Sequence, residues 1–172
     1  MTETLTQSLA AADAGFKSPL TPTAFYRDPK AALDWLERAF GFEVSILLTD
    51  ADGNIAHAEM SWRGANIGVA GEWTVGRADV PARALSPSSI GHVVTQFVWV
   101  EVEGDIDAHC ARARAAGARI LEEPVDQFYG SRTYRAADPE GHVWNFRQHV
   151  RDVSFEEMEA VTGLKHRTPG RS

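Results

Sequence analysis

Cysteine is all but missing from this sequence. Cys110 stands alone among 172 residues, so no intramolecular disulfide can form and no cysteine cluster can hold zinc. Long apolar runs are missing too: no stretch approaches the roughly 18 residues that a bilayer-spanning helix needs. The first residues lack the basic-then-apolar order of a secretion signal. A reducing, cytoplasmic setting without a membrane partner is the expectation. Positive charge is scarce, with 17 Lys and Arg against 24 Asp and Glu and a formal net charge of −7. Nucleic-acid affinity rests on clustered Lys and Arg that neutralise phosphates, so a nucleic-acid partner is not expected. No phosphate-binding glycine loop, GxGxxG motif or Ser-His-Asp spacing stands out.

What is present suits a globular domain. Hydrophobic residues make up 44% and charged residues 24%, ordinary values for a chain long enough to bury a core. Residues 1–18 are polar and Ala-rich and read as a flexible N-terminal arm. From residue 19 the signals come in a definite order. LTPTAFYR (20–27) is strand-like. Asp28-Pro29 opens a helix, with a capping carboxylate and a proline where no amide partner is needed. Ala32, Leu33, Leu36, Ala39 and Phe40 then form one apolar stripe before Gly41. FEVSILLTD (42–50) is strand-like, Asp52-Gly53 signals a hairpin, and NIAHAEMSW (54–62) alternates. That alternation puts Ile55, His57, Glu59 and Ser61 on one face and Ala56, Ala58, Met60 and Trp62 on the other. ANIGVAG (65–71) completes a first β-α-β-β-β unit spanning 19–71.

Residues 72–94 carry Pro81 and Pro87 and read as a linker, long enough for units to pair within one chain or between two. The order then repeats over 95–150. TQFVWVEV (95–102) is a strand, GDIDAHCARARAAG (104–117) a helix, and ARILEEP (118–124) a strand stopped by Pro124. Two further strands, 131–137 and 142–150, are joined at DPEG (138–141). Trp144 and Phe146 share one face of the last of these, and Phe97 and Trp99 one face of theirs. Residues 151–172 hold a C-terminal helix opened by the capping box Ser154/Glu157, then a tail. The fold class is α+β, with 19–150 forming one domain of two tandem βαβββ units.

The Asp-Pro helix start, the AFGF and AAGA helix ends and the hairpin DPEGHVWNF give the sequence its family likeness. In these features it resembles the vicinal oxygen chelate superfamily (glyoxalase, bleomycin resistance and dioxygenase proteins), most closely its PhnB-like branch. The resemblance implies that the mixed sheets form an open, curved cleft, and that the protein is a homodimer. Metal-dependent members place His, Glu or Gln on cleft-facing strands. On this chain those positions fall near Thr21, Gly68, Gln96 or Phe97, and Asn145. Most are unsuited to a divalent transition metal, which takes imidazole, carboxylate or thiolate. The expectation is therefore a protein working without the family metal, with no cofactor. A divalent metal remains possible at a non-standard pair, His57 and Glu59, which alternate onto one strand face. His142 in the GHVW turn is expected to serve the turn itself, and Cys110 on its helix to be a buried, inert thiol.

The resemblance also implies that FYGSRTYR faces the cleft, so Tyr129, Arg132 and Tyr134 are candidate ligand contacts. The guanidinium would take an anion and the tyrosines an aromatic ring. Pairing of Arg132 with Asp126 or Asp138 is the competing reading. Trp99 and Trp62 are further candidates, and Trp73 a possible rim residue. The function expected is binding of a small anionic or aromatic molecule, as bleomycin-resistance proteins do. The alternative is a glyoxalase-like lyase or isomerase, or a dioxygenase, using His57 and Glu59 as ligands or Tyr129 or Tyr134 as general acid–base. A structural partner role through the linker and C-terminal helix is a third.

Overall fold

The computed structural model describes residues 20–77 and 80–167. The N-terminal arm expected at 1–18 lies outside the described residues, as does the end of the expected tail. The chain divides into two compact units, residues 1–91 and 92–172. No described helix is long and apolar enough to cross a membrane.

In the first unit, β1 (Thr23–Tyr26), α1 (Pro29–Phe40), β2 (Glu43–Thr49), β3 (Ile55–Trp62) and β4 (Ala65–Gly71) follow the expected order. The sheet runs β1-β4-β3-β2, with β1 parallel to β4 and the other pairs antiparallel. The Asp28 carboxylate accepts from the Ala31 amide at 3.0 Å and caps α1, and Pro29 sits in its first turn. Gly41 ends it in the left-handed region at φ 81°, where a Cβ would be strained. The apolar stripe of α1 is buried, together with Ala24, Tyr26, Ala58, Met60, Ile67 and Val69 of the sheet. Because side chains alternate across a strand, this helix-covered face excludes His57 and Glu59, which lie on the other.

The second unit repeats the design. β7 (Val98–Glu101), α2 (Ile106–Ala115), β8 (Arg119–Asp126), β9 (Ser131–Ala137) and β10 (Val143–His149) form a sheet of order β7-β10-β9-β8, with β7 parallel to β10. Its helix-covered face buries Val100, Tyr134, Ala136, Trp144 and Phe146 against Ile106, Cys110 and Ala113. The DPEG turn is organised by the buried side chain of Asp138. One oxygen accepts from the Glu140 and His142 amides, each at 3.0 Å, and the other from the Trp144 indole at 3.2 Å.

Three expectations need correction. The 72–94 segment is not a bare linker: β5 (Trp73–Arg77) and β6 (Val80–Ala84) form an antiparallel ribbon, followed by a short 3-10 turn over Pro87–Ile90. Pro81 is tolerated because both strands of an isolated ribbon are edges, so a missing amide donor costs little. Pro124 does not stop its strand. β8 continues to Asp126 through a register shift between Glu122 and Val125, as a sheet-edge position allows. The 95–102 strand is shorter than expected, starting at Val98.

Downstream, α3 (Phe155–Thr162) carries the expected capping box, with Ser154 and Glu157 bonding reciprocally at 3.1 Å. Cys110 is buried, and that burial pushes its thiol above the ordinary range. Since the thiolate is the reactive form, native protein at pH 7.5 is expected to resist iodoacetamide and to alkylate rapidly once urea unfolds it. Fast native labelling, read by intact mass, would contradict the burial.

Candidate functional site

The face of the first sheet opposite α1 carries Thr23 on β1, Gly68 and Ala70 on β4, and His57 and Glu59 on β3, as the pairings Thr23–Gly68 and Glu59–Gly68 require. A cavity of about 320 Å³ opens on it, lined by His57, Gly68, Ala70, Glu72 and Trp73 among others. Trp73 is 40% exposed and meets the edge of Phe25 at 5.7 Å between ring centres. Glu59 is buried, its side chain 1% exposed, although it is an acid. Two donors offset the cost of that burial: His57 Nε2 lies 3.0 Å from one carboxylate oxygen and Asn66 Nδ2 donates to the other at 2.9 Å. The His57 side chain remains 45% exposed.

The corresponding face of the second sheet is a row. Trp99 pairs with Asn145, Asn145 with Arg135, and Arg135 with Glu122, one residue per strand. Arg135 Nε donates to Asn145 Oδ1 at 2.6 Å and its Nη1 to Glu122 at 2.9 Å. The guanidinium also lies over the Phe97 ring at 5.8 Å. Trp99 is 48% exposed. An arginine can only donate, so its bond to Oδ1 fixes the Asn145 amide and turns Nδ2 the other way. That Nδ2 is buried and has no partner. Arg135 and Asn145 were not recognised as neighbours from the sequence. The parity that puts Trp144 and Phe146 in the core would have placed Asn145 on the open face.

The pairings bear directly on a metal. Thr23, not Thr21, stands opposite Gly68, and Trp99, not Gln96 or Phe97, stands opposite Asn145. The register shifts by about two residues because β1 and β7 begin later than their sequence signals. In neither unit do these positions fit a divalent ion. Gly68 has no side chain, and a Cβ there would meet Thr23 Oγ1 at 2.5 Å, leaving no room for an acidic ligand. Asn145 offers its free atom as an N–H donor, while its oxygen already serves a cation. No group of three or more His, Cys, Asp or Glu side chains suited to a metal occurs among the described residues. His57 and Glu59 are brought together, but as partners of each other.

The remaining candidates are placed differently from expectation. Tyr134 pairs with Phe146 and Arg132 with Gln148 across β9 and β10, which puts both on the helix-covered face. Tyr134 is buried, stacks on Phe146 at 4.7 Å and bonds His109 Nδ1 through its hydroxyl at 2.6 Å. Burial pushes its phenol far above the ordinary range, and its side chain lies on the helix-covered face instead of the open one. Arg132 clamps Asp107 at 2.7 and 2.8 Å and Asp126 at 2.8 Å. Its hydrogen bond holds the Asp107 carboxyl below the usual range. The guanidinium therefore joins the sheet to the first turn of α2. Trp62 shares its face with Met60 and packs against Phe42 at 5.6 Å, away from the cavity. Tyr129 is half-buried in the turn before β9, edge-on to Phe128 at 5.1 Å. Of the expected aromatics, Trp99 lies exposed on an open face and Trp73 lies exposed at the cavity.

Two four-stranded sheets of order 1-4-3-2, each backed by one helix and each carrying aromatic and polar side chains on its other face, define a duplicated βαβββ protein. The chain belongs to the glyoxalase/bleomycin resistance protein/dioxygenase superfamily, whose family model matches residues 15–146. An uncharacterized protein of Mycobacterium bovis is 31% identical over 147 residues, 83% of this chain and 90% of its own. Among solved structures, TioX from Micromonospora sp. ML1 is 33% identical with a TM-score of 0.60, over 77% of this chain and 99% of its own. TnmS3, an antibiotic binding protein from Streptomyces sp. CB03234, shares the fold at 19% identity and a TM-score of 0.52, over 74% of this chain and 91% of its own.

Proposed function

We propose that this protein binds a planar aromatic small molecule without the family metal and without turning it over, in the manner of the antibiotic-binding and bleomycin-resistance members. The observation that carries this reading is that neither Thr23 beside Gly68 in the first unit nor Trp99 beside Asn145 in the second makes a metal-donor set. In its place stand exposed tryptophans: Trp73 beside a 320 Å³ cavity in the first unit and Trp99 in the second. That volume is at the lower end of the range for small-molecule sites. The anionic-ligand alternative loses its main support, because the Arg132 and Arg135 guanidiniums are both engaged by carboxylates. The net charge of −7 would favour the approach of a cationic aromatic compound. Membership of the PhnB-like branch, a cytoplasmic setting and a homodimer complete the reading, supported by the DPEGHVWNF hairpin, the solitary cysteine and the family resemblance.

Two measurements test it. Elemental mass spectrometry of protein purified without a metal-chelating tag is expected to find no stoichiometric transition metal. A thermal-shift screen of planar aromatic compounds is expected to find stabilising ligands, since binding to the native state raises stability by mass action. For a ligand of the first-unit cavity, Trp73→Ala should weaken binding about tenfold. Stoichiometric metal that supports turnover would sink the reading.

A further inference from the structure

We propose that the first-unit cavity selects aromatic ligands that carry a hydrogen-bond donor, such as a ring N–H, and that His57, held by Glu59, is the acceptor. This rests on the aromatic-binding reading and names its chemistry. The argument begins with Glu59. An ionised carboxylate only accepts hydrogen bonds, and both of its oxygens are engaged, one by Asn66 Nδ2 and one by His57 Nε2. The proton shared at 3.0 Å with Glu59 therefore sits on Nε2. In a neutral imidazole one nitrogen donates and the other accepts, so Nδ1 carries the lone pair. Nδ1 has no hydrogen-bond partner among the described residues. The ring lines the cavity and is 45% exposed, so the acceptor is open to a ligand.

The rest of the lining suits a flat ring with one polar edge. Trp73 offers aromatic surface, held edge-on by Phe25 outside the lining. Ala70 adds only a methyl to this face of β4, while the Thr23 side chain lies against Gly68. Glu72, the other acid in the lining, already accepts from the Ser86 amide at 2.8 Å. Glu59 acts here as a positioning residue, because it sets which nitrogen of His57 holds the proton and does not line the cavity itself.

Nitrogen-15 spectra of the histidine-labelled protein at pH 7.5 read the tautomer directly. The Nε2–H form is expected. An Nδ1–H form or an imidazolium overturns the proposal. Binding is then compared for indole and benzofuran, which have the same shape but differ in the donor. Wild type should prefer indole by about tenfold, the worth of one hydrogen bond. His57→Ala removes the acceptor and should bring the ratio near one. Glu59→Gln, whose amide can donate or accept, should mix the tautomers and shrink the preference. Should Glu59→Gln fail to fold, the wild-type spectrum and His57→Ala still decide. Equal binding of the two probes to wild type overturns the donor inference and leaves the aromatic reading standing. Binding of neither overturns both.

Discussion

Asp138→Ala is expected to cost the second unit about 3–5 kcal/mol, because three hydrogen bonds to a buried carboxylate are lost together. The Glu140 and His142 amides lose the acceptor that closes the turn, and the Trp144 indole N–H is left buried. Trp144 is among the largest fully buried side chains of the chain, so its support matters beyond the turn. Asp138→Asn keeps one oxygen for the two amides but turns an NH2 toward the indole donor. It should cost less, about 1–2 kcal/mol, the loss of one bond. Urea unfolding read by tryptophan fluorescence measures both, and an unchanged slope with a lower midpoint marks a stability effect alone. Equal costs for Ala and Asn would mean that the indole contact, and not the turn, carries the energy.

Gly130→Ala is expected to be nearly as damaging, by about 2–4 kcal/mol, from strain and overlap combined. Gly130 sits at φ +84°, where a side chain is strained in any case. A Cβ there would also strike the Arg151 carbonyl oxygen, and would lie 2.8 Å from Val153 Cγ2. The backbone cannot retreat easily, since the Gly130 carbonyl accepts from the Val150 and Arg151 amides at 2.9 and 3.1 Å. Gly117→Ala is the control. It has a similar φ of +93° but nothing within 4 Å of the added carbon, so it should cost only about 1 kcal/mol. Thermal melts separate the two, at about 2–4 °C per kcal/mol for a chain of this size. If both variants lose the same, the close approach to Arg151 is not the source.

Much of the fold was readable before any coordinates. The helix of 29–40 announced itself by an apolar stripe between a capping Asp28 and Gly41, local signals with local causes. Alternation along 54–62 separated His57 and Glu59 from Ala58 and Met60, and the structure keeps that division. The ribbon of 73–84 was not legible. Its strands are short and one carries Pro81, so neither periodicity nor composition marks them. Pro124 misled for the opposite reason: a proline signals a break, but an edge strand with a register shift absorbs it.

The candidate site was legible only in part, and the division has a physical reason. The sequence by itself determined the element order within each βαβββ unit, the duplication, the family and the division of faces along α1, β3 and β10, because these follow from local periodicity and capping. Only tertiary pairing decided which residues share an open face. Nothing local says that Thr23 stands beside Gly68, or that Asn145 stands between Trp99 and Arg135. Likewise nothing local puts Arg132 and Tyr134 against the helix and Arg135 on the other side. A strand's parity is free until a neighbour sets its register, and a one-residue slip exchanges its two faces.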